Sequence, residues 1–224
     1  MADREDSLDL AQARPGADAV AHAVTRARAA SALFGVSAAV TVGRYRVLAR
    51  LGKGGGGEVW SAFDPELDRR VALKLIDTAA SQALRDRVKA EGQALARLAH
   101  PNVVPVHDVL EHGDHVVLVM ELVDGQSLRA WAAERRTARE VVRAYRQLGE
   151  GLAAMHDAGL VHRDVKPDNA MIGADGRVRV VDLGLALSAG AGSGEGKIAG
   201  TPTYMAPEQA AGQPLTPAVD QHGL

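Results

Sequence analysis

Phosphate binding is the first chemistry that the side chains of this sequence allow. Gly52-x-Gly54-x-x-Gly57 lies in the run Gly52-Lys53-Gly54-Gly55-Gly56-Gly57. Glycine has no Cβ, so its backbone can come close to phosphate oxygens. The spacing alone is weak, because ordinary hairpin turns and dinucleotide-binding turns also use it. A dinucleotide turn leads from a strand into a helix, whereas this one leads into Glu58-Val59-Trp60-Ser61-Ala62-Phe63, which reads as a second strand. Lys74 lies in the otherwise apolar Val71-Ala72-Leu73-Lys74. A lysine there is commonly a solvent-facing residue of a sheet; its functional reading is a cation held over phosphates and tethered by a carboxylate. Glu91, midway along the helical stretch that follows, can be that carboxylate, and alone it reads as a solvated helix charge.

The densest series is His162-Arg163-Asp164-Val165-Lys166-Pro167-Asp168-Asn169. It falls between a long helical pattern and the short apolar run Ala170-Met171-Ile172, so it is a loop on a rigid support. Asp182-Leu183-Gly184 follows the strand-like Val178-Arg179-Val180-Val181, and Ala206-Pro207-Glu208 comes after it. Loops rich in His, Asp and Asn arise by chance; the whole series in this order is not expected to.

The elements that must position these groups are legible from periodicity. Tyr45 to Leu51 alternates apolar and polar residues as a half-buried strand does, and Arg70 to Ile76 makes a third strand. A helix is predicted from about Ser81 to Leu98, with Leu84, Val88, Leu95 and Leu98 near one face and His100-Pro101-Asn102 as its stop. Two strands, Val103 to Leu110 and His115 to Leu122, follow. After Asp124-Gly125 come a short helix near Ser127 to Ala133 and a long one from about Ala138 to Ala158. An apolar stripe of Val141, Tyr145, Leu148, Leu152 and Met155 marks the long one. A strand-rich unit followed by a helix-rich unit gives an α+β class with two lobes. Residues 1–43 are alanine-rich and read as a mobile or weakly helical tail, with a weak helix possible from about Ala17 to Leu33.

Taken together these motifs resemble the protein kinase signature set. Asp64-Pro65-Glu66-Leu67-Asp68 and Gly200-Thr201-Pro202-Thr203-Tyr204-Met205-Ala206-Pro207-Glu208-Gln209 resemble, more narrowly, eukaryotic-like bacterial serine/threonine kinases. The resemblance covers residues 44–224, split into a small lobe over about 44–123 and a partial large lobe over about 124–224. It implies a two-lobed kinase-like fold that uses ATP and Mg2+ to phosphorylate Ser/Thr hydroxyls of proteins, in bacterial signalling with autophosphorylation. The loop of Gly52, Lys53, Gly54 and Gly57 would cover the phosphates, and Val59, Ala72 and Met171 would sandwich adenine. Met120 resembles the gatekeeper, with Glu121 to Val123 offering backbone groups to the adenine edge. Lys74 would contact the α- and β-phosphates, positioned by Glu91. Asp164 would accept or orient the acceptor proton, Lys166 would neutralise the moving phosphoryl group, and Asn169 and Asp182 would hold magnesium. Thr201 would bond towards Asp164 and Lys166. Arg163 suggests control by phosphorylation between Asp182 and Glu208, where Ser188, Ser193, Thr201 and Thr203 are available.

Three departures stand out. Leu183 replaces the usual phenylalanine, and is expected to join an apolar spine with Leu95, Val106 and His162. Gly56 stands where the loop tip is usually larger, raising its ordering cost by about 0.5–1 kcal/mol. The family's domain also continues past Leu224, so the large lobe is expected to be incomplete. Asp220 is expected to hydrogen-bond the backbone of the His162-Arg163 turn, while the helix it should open is expected to be missing and Glu208 is expected to lack its arginine partner. An impaired nucleotide-binding or scaffold module is the alternative that these missing helices leave open.

Composition narrows the setting. The 224 residues are 46% hydrophobic and 24% charged, as in a soluble globular protein. A net charge of -2 gives no reason to expect nucleic acid or an anionic membrane as partner. The absence of cysteine removes disulfides and thiolate metal sites. The run Ala29 to Gly43 is too short to span a bilayer, and the acidic start is unlike a secretory signal. Cytoplasm is the expected location, with no membrane contact within this chain.

Overall fold

The computed structural model describes residues 19–34, 39–54, 56–182 and 202–224. The chain divides into two compact units, Met1–Val40 and Thr41–Leu224. The first holds helix α1, Ala19–Phe34, close to the span that alanine propensity predicts.

In the second unit, strands β1 (Thr41–Val42), β2 (Tyr45–Gly54), β3 (Gly57–Asp64), β4 (Arg69–Asp77), β5 (Val106–His112) and β6 (His115–Glu121) form one sheet. Its order is β1-β2-β3-β4-β6-β5, and every neighbouring pair is antiparallel. Strand β4 is buried from Val71 to Ile76, as a strand covered on both faces must be. The solvent-facing reading of Lys74 is thereby corrected: its neighbours leave it 2% exposed. Helix α2, Gln82–Ala96, starts where Ser81 accepts the amide of Leu84 at 3.1 Å, and it buries Leu84, Val88, Gly92 and Leu95.

Strand β5 begins at Val106 rather than at the expected Val103. Pro105 has no amide to give a ladder, and Val103 and Val104 join Val180 instead, with the Val104 amide donating to its carbonyl at 2.9 Å. A second sheet, β7 (Gly125–Ser127), β8 (Ala170–Gly173) and β9 (Val178–Val180), has the order β7-β8-β9. Helix α3 spans Leu128–Ala133 and α4 spans Ala138–Asp157. A capping box opens α4, the Glu140 amide donating to Thr137 Oγ1 and the Thr137 amide to Glu140 Oε2. The stripe that α4 buries is Ala144, Leu148, Gly151, Leu152 and Met155; Val141, in its first turn, stays at the surface. Gly151 sets how close α4 lies to the preceding loop, since a Cβ there would stand 2.4 Å from the Asn102 carbonyl oxygen. The Asn102 side chain in turn donates to Val178 O at 2.7 Å and to Gln147 Oε1 at 3.2 Å.

One apolar core runs from Val88 and Leu118 through Val104 and Val106 to Leu148, Leu152 and Met155. Each such side chain contributes roughly 1.5–3 kcal/mol. The core carries the six-stranded sheet and the loop after α4 on a common support. Short helices Pro207–Ala210 and Ala218–Gly223 follow in the last described stretch.

Candidate active site

The glycine-rich turn joins β2 to β3 with Gly52 opposite Val59, Lys53 opposite Glu58 and Gly54 opposite Gly57. Gly57 has a φ of +112°, and a Cβ there would lie 2.1 Å from Leu75 O, so only glycine serves. The turn sits over Lys74: a Cβ at Gly56 would meet Lys74 Nζ at 3.5 Å. Gly55 lies outside the described residues.

Lys74 Nζ is 2.6 Å from Asp182 Oδ1, so groups far apart in sequence meet between the two sheets. Asp182, with φ +63°, takes a left-handed conformation uncommon for a non-glycine residue. Glu91 does not pair with Lys74 among the described ion pairs. It meets Arg163 instead, Oε1 to Nη1 at 3.5 Å. The described ion pairs differ from the expected lysine–glutamate tether: the Lys74 ammonium meets Asp182, and α2 is tied through Glu91 to the loop after α4.

That loop is closely held. Lys166 Nζ donates to Asp164 Oδ2 at 2.7 Å, and Asn169 Nδ2 donates to the same oxygen and to Asp164 O, each at 2.8 Å. From beneath, fully buried Asp220 accepts the amides of His162 and Arg163, both at 2.7 Å, as the sequence led us to expect. His162 uses both ring nitrogens. Nδ1 accepts the Asp164 amide at 3.2 Å, so Nε2 carries the hydrogen that meets Val181 O at 3.0 Å. Burial pushes the pKa of this imidazole down, and it stays neutral.

On the opposite wall Ala72 and Met120 are register partners, both buried, and Val59 is the partner of Lys74. Glu121, Val123 and Met171 are half-buried, and the Glu121 amide donates to Pro105 O at 3.0 Å. Thr201, Leu183, Gly184, Ser188 and Ser193 lie outside the described residues; Thr203 is exposed.

Sequence reasoning missed three arrangements. His156 Nε2 lies 2.7 Å from Asp220 Oδ2, adding a third partner for that carboxylate. Arg129 Nε donates to both oxygens of Asp168 at 2.7 Å and its Nη2 to the Tyr204 hydroxyl at 3.2 Å, closing the outer end of the loop. Glu58, 4% exposed, is a carboxylate buried within the glycine hairpin. Only Glu58 had a usable sequence signal, since alternation and hairpin register set it across from Lys53.

Oxygen donors suited to a divalent cation are present in the Asp182 carboxylate and the Asn169 side-chain amide. Mg2+ prefers one or two such protein oxygens completed by water and phosphate, so the donor set fits magnesium.

The protein kinase domain family matches residues 45–224. The chain is 39% identical over 193 residues to serine/threonine-protein kinase PknA of Mycobacterium tuberculosis, covering 81% of this chain and 45% of that protein. It is 43% identical over 172 residues to PknL of the same organism, covering 74% and 43%. The chain thus spans less than half the length of these relatives. The solved PknI kinase domain of Mycobacterium tuberculosis superposes with a TM-score of 0.67 at 30% identity, over 84% of this chain and 73% of that one.

Proposed function

This chain belongs to the protein kinase domain family, and from that premise we propose that it transfers the γ-phosphoryl group of ATP to serine and threonine hydroxyls of proteins. The carrying observation is the 2.6 Å approach of Lys74 to Asp182 beside the Asp164–Lys166–Asn169 cluster. In the transfer a bond forms between the acceptor oxygen and Pγ as the bond from Pγ to the ADP oxygen breaks. The acceptor proton passes to the Asp164 carboxylate. Lys166 stands 2.7 Å from that carboxylate, placed to meet charge on the phosphoryl oxygens. Asp182 and Asn169 would hold Mg2+, which would supply charge neutralisation at the phosphates. Lys74 orients the α- and β-phosphates under the glycine turn, and Val59, Ala72, Met120 and Met171 bound the adenine slot, with Glu121 and Val123 at its edge. Residues 44–224 are the catalytic unit on this reading, residues 1–43 a tail, and Thr201 a contact of Asp164 and Lys166.

Regulation belongs to the same proposal. Phosphate added between Asp182 and Glu208, by the chain itself or by another copy, competes with Glu91 for Arg163 and frees α2 to bring Glu91 to Lys74. Among the described residues no helix is long and apolar enough to cross a membrane, and cytoplasmic signalling is the setting we propose.

Transfer of labelled phosphate from ATP to a basic protein substrate tests the reading, with Asp164→Asn as control. Equal, background-level transfer by both folded proteins would end it. A second reading, nucleotide binding without turnover, is favoured by the exchanged ion pairs: Lys74 and Glu91 are each engaged by another partner. A thermal shift with MgATP unaccompanied by transfer supports that reading.

A further inference from the structure

Glu58 places a carboxylate where a phosphate-binding turn has no evident use for one. It lies between Gly57 and Val59 on β3 and is 4% exposed. Its Oε2 accepts the Trp60 indole N–H at 3.0 Å. Its Oε1 is buried with no hydrogen bond among the described residues, yet lies 3.3 Å from Lys53 Nζ and 3.6 Å from Arg50 Nη1. Arg50 also covers the Trp60 ring, its guanidinium carbon 5.8 Å from the centroid.

Strand geometry says which side these four groups occupy. Successive side chains alternate faces. Lys53 stands directly across from Glu58, and Arg50 from Trp60. A register shift between Arg50 and Gly52 brings Arg50 and Lys53, three residues apart, to the same side, so the four share one face of the hairpin, and Val59, between Glu58 and Trp60, points to the other. The nucleotide reading above puts adenine on the Val59 side, so the charged group lies on the back of the turn. Lys53, read from resemblance as a nucleotide contact, is there engaged with Glu58.

We propose that Arg50, Lys53, Glu58 and Trp60 form a clasp on the back of the hairpin, and that Glu58 is a positioning residue for ATP binding. The inference rests on the ATP reading above. A turn of this glycine content is expensive to order, and few of its residues have side chains that could hold it. The clasp closes the two strands across the Lys53–Glu58 pair, next to the Gly54–Gly57 pair at the tip, so the glycine amides are presented in a narrow set of positions. Glu58 acts through the loop backbone and touches no substrate. Charge opposes it in one respect: a carboxylate near the triphosphate repels it, so Glu58 helps only if ordering outweighs repulsion.

Amide hydrogen exchange on the nucleotide-free full chain tests the clasp without any need for turnover. In Glu58→Gln, exchange at Gly52 to Val59 is expected to quicken about five- to twenty-fold, with little change in α4 or β6. Titration calorimetry with MgATP should show affinity weakened about three- to ten-fold, and KM raised with kcat retained. Lys53→Ala should give a similar loss, and the double variant no more than either single one, because both break one pair. Uniformly faster exchange would reassign Glu58 to general stability and overturn the clasp. So would tighter ATP binding in Glu58→Gln, or multiplying losses in the double variant, which would mark Lys53 as an independent phosphate contact. If the unmodified chain binds no MgATP, the ATP reading falls and the positioning role with it, while the exchange comparison still decides whether the clasp exists.

Discussion

The glycine hairpin and the His162–Asn169 loop are both loops that must hold backbone in place, and they are fixed in opposite ways. The hairpin is gripped on its back by an ion cluster whose cations are open to water, Arg50 and Lys53 being 46% and 47% exposed at their side chains. The His162–Asn169 loop is gripped from below by Asp220, which has no exposed surface and takes two backbone amides and a histidine. Exposed pairs are weak and screened by salt, whereas buried hydrogen bonds to a charged acceptor are strong and costly to break. On the proposed function the turn admits and releases a nucleotide, which the first kind of restraint allows, and the loop meets a reacting atom in one geometry, which needs the second.

The harshest way to break this contrast is Asp220→Ala. It leaves the amides of His162 and Arg163, the first of them buried, without their acceptor at about 1–3 kcal/mol each, so we expect stability to fall by about 3–5 kcal/mol in urea titrations, and phosphotransfer to vanish even in the fraction that folds. A loss below about 1 kcal/mol would place the His162–Asn169 loop in the same class as the hairpin. Asp164→Asn separates chemistry from support. It should lower kcat by about 10²–10⁴-fold with the urea midpoint almost unmoved, since the loop keeps its Asp220 bonds.

Salt sharpens the comparison without mutation. Raising ionic strength from about 0.05 to about 0.5 M shrinks the screening length to a few ångströms. Exchange of the hairpin amides should quicken a few-fold while the His162 and Arg163 amides hold their protection; equal acceleration of both would dissolve the distinction. The smallest effect is expected from His162. Its folded pKa lies below the ordinary value of 6.5, so on acidification the unfolded chain binds the proton first. Stability from this group is therefore complete above pH about 6.5 and falls as pH drops towards the folded pKa. His162→Phe should flatten the slope of stability against pH in that window, measured by denaturation at several pH values.

Most of the fold could be read before the structure, because strand alternation, the apolar stripe of the long helix and the stop at His100-Pro101-Asn102 are local signals. The wrong start of β5 came from weighing apolar Val103 and Val104 above Pro105, whose missing amide ends the ladder. Candidate residues were legible wherever a motif named them, and the structure brings Lys74 to Asp182 and Asn169 to Asp164, with Asp220 holding the turn that was expected of it. The partner of Glu91 was not legible. Whether Glu91 meets Lys74 or Arg163 depends on where α2 comes to rest, a tertiary outcome that no spacing encodes. Glu58 shows the converse, since its register with Lys53 was available, but a charged residue in a strand is ordinarily taken as solvated.

Gly151 carries a last consequence. Its place is set by the nearness of α4 to the Asn102 carbonyl, and no nucleotide or acceptor comes near that contact in the proposed site. Substitution by alanine nonetheless forces that helix outward, and with it the Gln147 amide that steadies Asn102 and Val178. In a saturation mutagenesis map this position will rank beside Asp164, so intolerance to change is a poor guide to which residues react.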